Sequence, residues 1–173
     1  MSIDNFAANM AGGGARANQF RVIMNTPTGI ATGPFSSVTT SFLVRTASLP
    51  GQTITEIPIN FRGRQLFLAG DRTFETWSTT VFNDTDFMIR NALERWMNGI
   101  NDLAEATGLS NVRDYTADLI VEQLNRDDQV IKTYVLRNCW PTAIAAIELN
   151  MDTVSEIETF DITWRYTTFE NFV

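Results

Sequence analysis

Residues 158–167 read ETFDITWRYT, and their alternation decides the fold. Phe160, Ile162, Trp164 and Tyr166 fall on one side of an extended chain. Thr159, Asp161, Thr163, Arg165 and Thr167 fall on the other. A period of two marks a strand with one buried and one wet face, whereas a helix would scatter those four large side chains around its axis. The segment predicts a strand over Glu158–Thr167 with its aromatic side inward.

The same pattern recurs upstream. Tyr115–Leu124 and Val130–Asn138 form a hairpin if Asp127-Asp128 is its turn. Leu119 then faces Leu136 and Val121 faces Tyr134 on an oily side, while Asp118 faces Arg137 and Glu122 faces Thr133 on a wetter one. After Trp140-Pro141 a short strand is expected near Ala143–Leu149. Nearer the N-terminus, Asn18–Met24 alternates as a strand, residues 25–37 are turn material (Pro27, Gly29, Gly33, Pro34), and Ser41–Thr46 reads as another strand. From Thr53 to Asn83 the pattern is β throughout. Thr55, Ile57, Ile59 and Phe61 share a face, Arg62-Gly63-Arg64 turns, Gln65–Ala69 returns, Gly70-Asp71-Arg72 turns again, and Thr73–Phe82 runs forward. Pro58 demotes its strand to an edge or bulged position. One helix is predicted over Thr85–Asn101, capped by Asn83, Asp84 and Thr85, with Ile89, Ala92, Leu93, Trp96 and Ile100 on one stripe. Residues 102–114 are a polar loop with room for a helical turn. The sum is a mainly β fold, a two-sheet sandwich or split barrel with one flanking helix. A flexible arm over residues 1–17, containing Gly12-Gly13-Gly14, precedes a single domain over 18–173.

Composition agrees with one domain: 173 residues, 44% hydrophobic and 19% charged, enough to bury a core. The net charge of −7 argues against a module that holds nucleic acid through its phosphates. There is no histidine, which removes the commonest general base, the triads built on it and most zinc sites. The single Cys139 excludes an internal disulfide. Asp127-Asp128 and Asp84-Thr85-Asp86 lack the further ligands and glycine of a calcium loop and read as a hairpin turn and a helix start. The triple glycine is not followed by the Lys-Ser/Thr pair of a phosphate loop. Lys132, the one lysine, belongs to a strand as a solvated cation, and Cys139 reads as a small core residue. No catalytic residue, cofactor or metal site is expected. Met1–Phe6 carries no secretory signal, and no apolar run approaches the ~20 residues needed to span a bilayer.

Charge is unevenly divided. Residues 1–98 carry net +1 and residues 99–173 carry net −8. Between Glu148 and Asp161 stand five acids (Glu148, Asp152, Glu156, Glu158, Asp161) and no base. Twelve of the thirteen cations are arginine, which suits bidentate pairing with carboxylates. Arg62, Arg64 and Arg72 could hold a nucleic acid, but no stacking aromatics accompany them in an RNA-binding pattern. Arginine turns at one place and a carboxylate run at another also suit copies binding head to tail, which gives rings if the contacts close and filaments if they do not.

Several segments, in order, resemble the tail tube proteins of contractile-tailed bacteriophages. They are Ser48-Leu49-Pro50, Ile57-Pro58, Ala69-Gly70-Asp71-Arg72-Thr73-Phe74, Trp77, and Val81-Phe82-Asn83-Asp84 before the helix. The second half adds Trp140-Pro141-Thr142, Glu148-Leu149, and Glu156-Ile157-Glu158-Thr159-Phe160-Asp161-Ile162-Thr163. The resemblance spans residues 18 to 169; the arm and the 102–114 loop correspond least.

The resemblance implies a hexameric ring, rings stacked into a rigid tube inside a contractile sheath, and about four strands per copy in one continuous lumen barrel. Twenty-four strands at ~4.8 Å give a circumference near 115 Å and a backbone diameter of roughly 37 Å, wide enough for duplex DNA. It further implies a non-enzymatic virion component assembled in the host cytoplasm. Its partners are copies of itself, sheath, baseplate or tube initiator, and tail terminator. DNA passes through unbound, and no membrane is involved. On this reading the acidic balance repels passing phosphate. Asp118, Glu122, Thr133 and Arg137 are candidate lumen-facing residues. Arg62, Arg64, Asp71 and Arg72 are candidate ring-stacking contacts, with Asp152, Glu156, Glu158 or the 102–114 loop as their partners. Two other readings stay open: the inner tube of a non-phage injection machine, and a small binding module that would be a stable monomer.

Overall fold

The computed structural model describes residues 2–10, 14–33 and 37–172; Gly12, Gly13 and Pro34 of the sequence reading lie outside them. Its elements are α1 (Ile3–Asn9), β1 (Phe20–Met24), α2 (Ser37–Leu43), β2 (Val44–Ala47), β3 (Thr53–Phe61), β4 (Arg64–Thr73), β5 (Trp77–Phe82), α3 (Met88–Ile100), α4 (Val112–Tyr115), β6 (Ala117–Leu124), β7 (Val130–Ile144), β8 (Thr159–Arg165) and β9 (Thr168–Phe172). Among the described residues, seven strands form one antiparallel system in the order β1-β6-β7-β8-β5-β2, with β9 also on β7, and β3 and β4 pair only with each other.

Strand β7 serves both layers. Its first half lies between β6 and β9, and its second half pairs with β8. Asn138, with φ 54°, and a register shift between Pro141 and Ala143 let the 15-residue strand turn from one layer into the other. The two ends of the strand order, β1 and β2, approach each other, with α2 against β1 at that seam. This is the split barrel that the alternation predicts.

The core follows the period of two. Phe160, Ile162, Trp164 and Tyr166 are all buried, opposite Val22, Met24, Leu119, Val121 and Leu136 of the other layer. The β6–β7 register is the expected one, with Leu119 opposite Leu136, Val121 opposite Tyr134 and Glu122 opposite Thr133. Helix α3 adds Ile89, Ala92, Leu93 and Trp96, and the Trp96 ring meets Trp164 edge-on at 5.7 Å. Each buried indole finds an acceptor: Trp77 donates to the Ser48 carbonyl (2.6 Å), Trp96 to the Tyr115 carbonyl (2.6 Å) and Trp164 to Thr79 Oγ1 (3.0 Å).

Several boundaries differ from the sequence reading. Ser41–Thr46 divides into the end of α2 and strand β2, because packing against β1 outweighs the β-branched composition of the segment. Gly70-Asp71-Arg72 does not turn: β4 runs through it to Thr73. A Cβ at Gly70 would stand 2.7 Å from Thr55 Oγ1 and 2.9 Å from the Thr55 carbonyl, so glycine lets the bulge between Ile54 and Glu56 close. The forward strand begins at Trp77, not Thr73. Helix α3 starts at Met88 instead of Thr85, since Phe87 is left-handed (φ 53°) and Asp84 Oδ1 accepts from the Met88 amide at 3.0 Å. The strand expected over Ala143–Leu149 is the end of β7, and residues 145–158 form a loop. Strand β9 and the helix within the arm were not expected.

Candidate assembly surfaces

The layer β1-β6-β7-β9 turns one face away from the core. On it Glu122 accepts from Arg21 Nε at 2.7 Å, and Arg21 is its cross-strand neighbour. Arg137 bridges Asp118 (2.6 Å) and Glu170 of β9 (2.8 Å), and Asp118 also accepts from the Asn138 amide at 3.0 Å. Glu170 and then Asp118 push the Arg137 pKa up, so its charge is fixed. The structure thus places Asp118, Glu122, Thr133 and Arg137 together, as expected. It also adds Arg21 and Glu170, which the hairpin pattern alone could not bring there. With three acids and two bases the face carries net −1, and its carboxylates are paired.

The β3–β4 hairpin stands apart. Arg62 and Gly63, with φ 48° and 82°, make the two-residue turn in which both central residues need positive φ. Ile57 pairs with Leu68 and Ile59 with Leu66 on one face, continued by Phe61, yet these side chains are 43–66% exposed. Pro58 is tolerated because β3 has an open side. Arg62 lies over the Phe61 ring at 5.2 Å, and Arg64 begins the return strand. Arg72 is eight residues away at the stem, roughly 25 Å along the strand. The structure therefore brings Arg62 and Arg64 together at the tip and leaves Asp71 and Arg72 at the base.

The acidic run lies in the 145–158 loop, beside a groove of about 680 Å³ lined by Glu148, Leu149, Met151, Glu156 and Ile157 among others. Leu149, Met151, Val154 and Ile157 are 70–100% exposed, interleaved with exposed Glu148, Asp152 and Glu156. Glu158 differs. It is half-buried and accepts from Asn83 Nδ2 at 2.9 Å, so its carboxylate is engaged within the chain. In the 102–114 loop, amides of Glu105 and Ala104 and the Asn98 side chain hold the Asp102 pKa down, and Asp102 serves its own turn. What the sequence reading missed is that both charged segments are also oily. The signal was present in Ile57, Ile59, Leu66 and Leu68, and in the apolar residues spaced through residues 149–157.

Cys139 is buried, and burial pushes its thiol up to about 12. Among the described residues no cluster of three or more His, Cys, Asp or Glu could hold a metal ion, and no helix is long and apolar enough to cross a membrane.

The sequence model of the family described as phage tail tube protein matches residues 15–171. The tail tube protein gp19 of Enterobacteria phage T4 is 32% identical over 125 residues, covering 71% of this chain and 76% of that one. The tail tube protein of Serratia phage KSP90 is 29% identical over 167 residues, covering 95% and 94%. The fold recurs at much lower identity in solved structures. A chain in the cryo-EM structure of an extracellular contractile injection system's sheath/tube terminator has a TM-score of 0.64 at 12% identity, covering 92% of this chain and 97% of that one. A chain in the six-fold symmetrised anti-feeding prophage baseplate has a TM-score of 0.63 at 14% identity, covering 92% and 95%. With a family match over nearly its whole length, this chain belongs to the phage tail tube proteins.

Proposed function

We propose that six copies close into a ring and that rings stack into the hollow inner tube of a contractile phage tail, through which DNA passes unbound. The exposed apolar face of the β3–β4 hairpin carries this reading. An isolated two-stranded hairpin is marginal in water, and an uncovered row of Ile57, Ile59, Phe61, Leu66 and Leu68 calls for a second copy to cover it. The 145–158 loop is its complement, oily where the hairpin is oily and acidic where the tip has Arg62 and Arg64. Asp152 and Glu156 are the stacking partners of that tip. Glu158, bonded to Asn83, is not free for this role.

The layer β1-β6-β7-β9 supplies the four strands expected of each copy in the lumen wall, and β9 offers the edge where the next copy continues it. Its outward face is the bore. At net −1 per copy the bore of a six-membered ring carries about −6 from these groups, a mild repulsion spread among ion pairs. Sheath surrounds the tube, and baseplate and terminator proteins meet its ends. The chain acts without catalysis, within a virion assembled in the host cytoplasm. The fold's recurrence in extracellular injection systems keeps a non-phage inner tube as the second reading, while the sequence relatives described above are phage proteins.

Negative-stain electron microscopy across concentration and salt tests the assembly, with baseplate seeds added if the chain alone stays monomeric. Hollow six-fold rings or tubes are expected; monomers with and without seeds would overturn the reading. The bore assignment has its own test in Thr133→Lys. This change leaves both ion-pair groups intact, cancels the net −1 of the bore face and should slow DNA ejection from otherwise normal tails.

A further inference from the structure

Strand β1 ends the layer β1-β6-β7-β9, yet its free edge is covered by a helix. Among the described residues β1 pairs only with β6. The Leu124 amide donates to the Gln19 carbonyl at 2.9 Å, so Gln19 and Leu124 are a bonded pair. Bonded pairs alternate along an antiparallel ladder, which makes Arg21–Glu122 and Ile23–Ile120 the next two. Phe20, Val22 and Met24 therefore turn their backbone N–H and C=O groups away from β6. Val22 and Met24 are fully buried, and what lies on that side is α2, whose contacts are with β1 and β2. A helix spends its amides on itself, so it covers such an edge without pairing with it.

As a permanent cover α2 is poorly built. Its seven residues, SVTTSFL, fall short of the about 12–15 that hold a helix in water. Most of them favour strands or turns. It is also turned the wrong way for an anchor, with Thr40 fully buried and Phe42 80% exposed. A groove of about 530 Å³ is left beside the strand, lined by Phe20, Arg21, Ile23, Ser41 and Phe42 among others. Disagreement between local preference and observed structure marks a segment able to take a second position.

Strand β9 fits the edge that α2 covers. The pairings β1–β6, β6–β7 and β7–β9 are all antiparallel, so after three reversals β9 runs opposite to β1. Rotation about a ring axis preserves strand direction, so β9 of one copy meets β1 of the next antiparallel. Both strands are five residues long. Their faces agree as well. Phe169 packs on the core side with Tyr134 and Phe74, as Val22 and Met24 do. Thr168, Glu170 and Phe172 share the outward side with Arg21 and Ile23. We propose that α2 is a removable cover, displaced from the β1 edge when β9 of a neighbouring copy pairs there and closes the ring. In the free subunit the cover keeps the edge from templating unwanted pairing. Only a strand of matching direction, length and faces gains the backbone bonds that replace it.

The proposal rests on the ring reading, and an experiment with two arms separates them. In the double variant Ile23→Cys, Ser41→Cys, a short reducible bis-maleimide ties α2 to β1 in the free subunit. Both positions line the same groove, and Cys139 is buried and does not compete. The linked chain should give no rings with or without baseplate seeds. Reduction cuts the linker but leaves its bulk attached, and rings should return. In the second arm, Ile23→Cys chains are mixed with chains carrying Thr168→Cys, Glu170→Cys or Phe172→Cys, then assembled and oxidised. These three positions span the stagger between copies. One of them should cross-link between protomers, and only in assembled material. Rings formed with α2 still tied to β1 overturn the proposal, as do rings in which no β9 position joins β1; the ring reading survives both. A linker that cannot close in the free subunit would mean that α2 does not lie over the edge, and overturns it too. If the unaltered chain forms no rings even with seeds, both readings fall.

Discussion

Strand β8 and strand β3 have the same alternation and opposite fates. In β8 the apolar side, Phe160, Ile162 and Trp164, is sealed against α3 and the facing layer, whereas in β3 the apolar side, Ile57, Ile59 and Phe61, faces water. Period two states that one face of a strand wants cover; it does not state which chain supplies it. In this protein the fold covers β8, and in the proposed tube a second copy covers β3. The two regions should therefore respond oppositely to the same kind of substitution.

The largest effect is expected at Trp164, which has no exposed surface and packs edge-on against Trp96. Trp164→Ala should remove about 3–5 kcal/mol from the stability of the monomer, read by thermal or urea unfolding. Assembly would fail only because the subunit fails. On the hairpin, Ile57→Ser with Leu68→Ser should leave monomer unfolding within about 0.5 kcal/mol, as exposed substitutions do. The same pair should abolish tubes at any concentration that suffices for the unaltered chain. A hairpin variant that destabilised the monomer as Trp164→Ala does would break the comparison, since β3 and β4 would then belong to the core.

The same contrast explains what could be read in advance. The β6–β7 register and the inward row of β8 were legible because each has one oily and one wet side, and a slip by one residue would bury Asp118 or Glu122. The hairpin turn was legible from Gly63. Strand β9 was not: Phe169 and Phe172 alternate weakly, and Glu170 acquires meaning only when β7 places Arg137 beside it. Helix α2 was hidden because its threonines and valine favour a strand and the neighbouring β1 decides otherwise. The candidate lumen face was readable in its strand pairs but not in its charge, since Arg21 arrives from a strand about a hundred residues away in sequence. The candidate stacking arginines read as one cluster in the sequence because Gly70-Asp71-Arg72 resembles a turn. Their separation became visible only when β4 proved to run through it.

A pH series sharpens the comparison from the side of the core. Burial holds the Cys139 thiol up to about 12, against ~8.5 in an unfolded chain. Above pH ~8.5 the unfolded chain releases this proton and the folded chain keeps it, so this contribution to stability falls as pH rises. The slope approaches about 1.4 kcal/mol per pH unit until the folded thiol itself ionises near 12. Comparing unfolding of the unaltered chain with Cys139→Ala between pH 8 and 11 isolates it. The two curves should converge as pH rises, whereas parallel curves would mean the thiol is not sealed. Hairpin variants, whose changes lie in water, should follow the unaltered chain throughout.

The smallest effect is expected at the hairpin tip. Arg62 and Arg64 are exposed, and single ion pairs at exposed sites contribute about 0–1 kcal/mol. Arg62→Gln with Arg64→Gln should raise the concentration needed for tube formation only a few-fold near 0.1 M salt, where charges interact over about 10 Å. The difference from the unaltered chain should fade toward 1 M, as screening shortens that range to ~3 Å. Tubes of the unaltered chain should survive that salt, because an apolar contact is not weakened by it. Tubes that dissolve on adding salt would rank the arginines above Ile57, Ile59, Leu66 and Leu68. The hairpin would then be an electrostatic arm carrying incidental apolar residues, and its likeness to an uncovered core face would be lost.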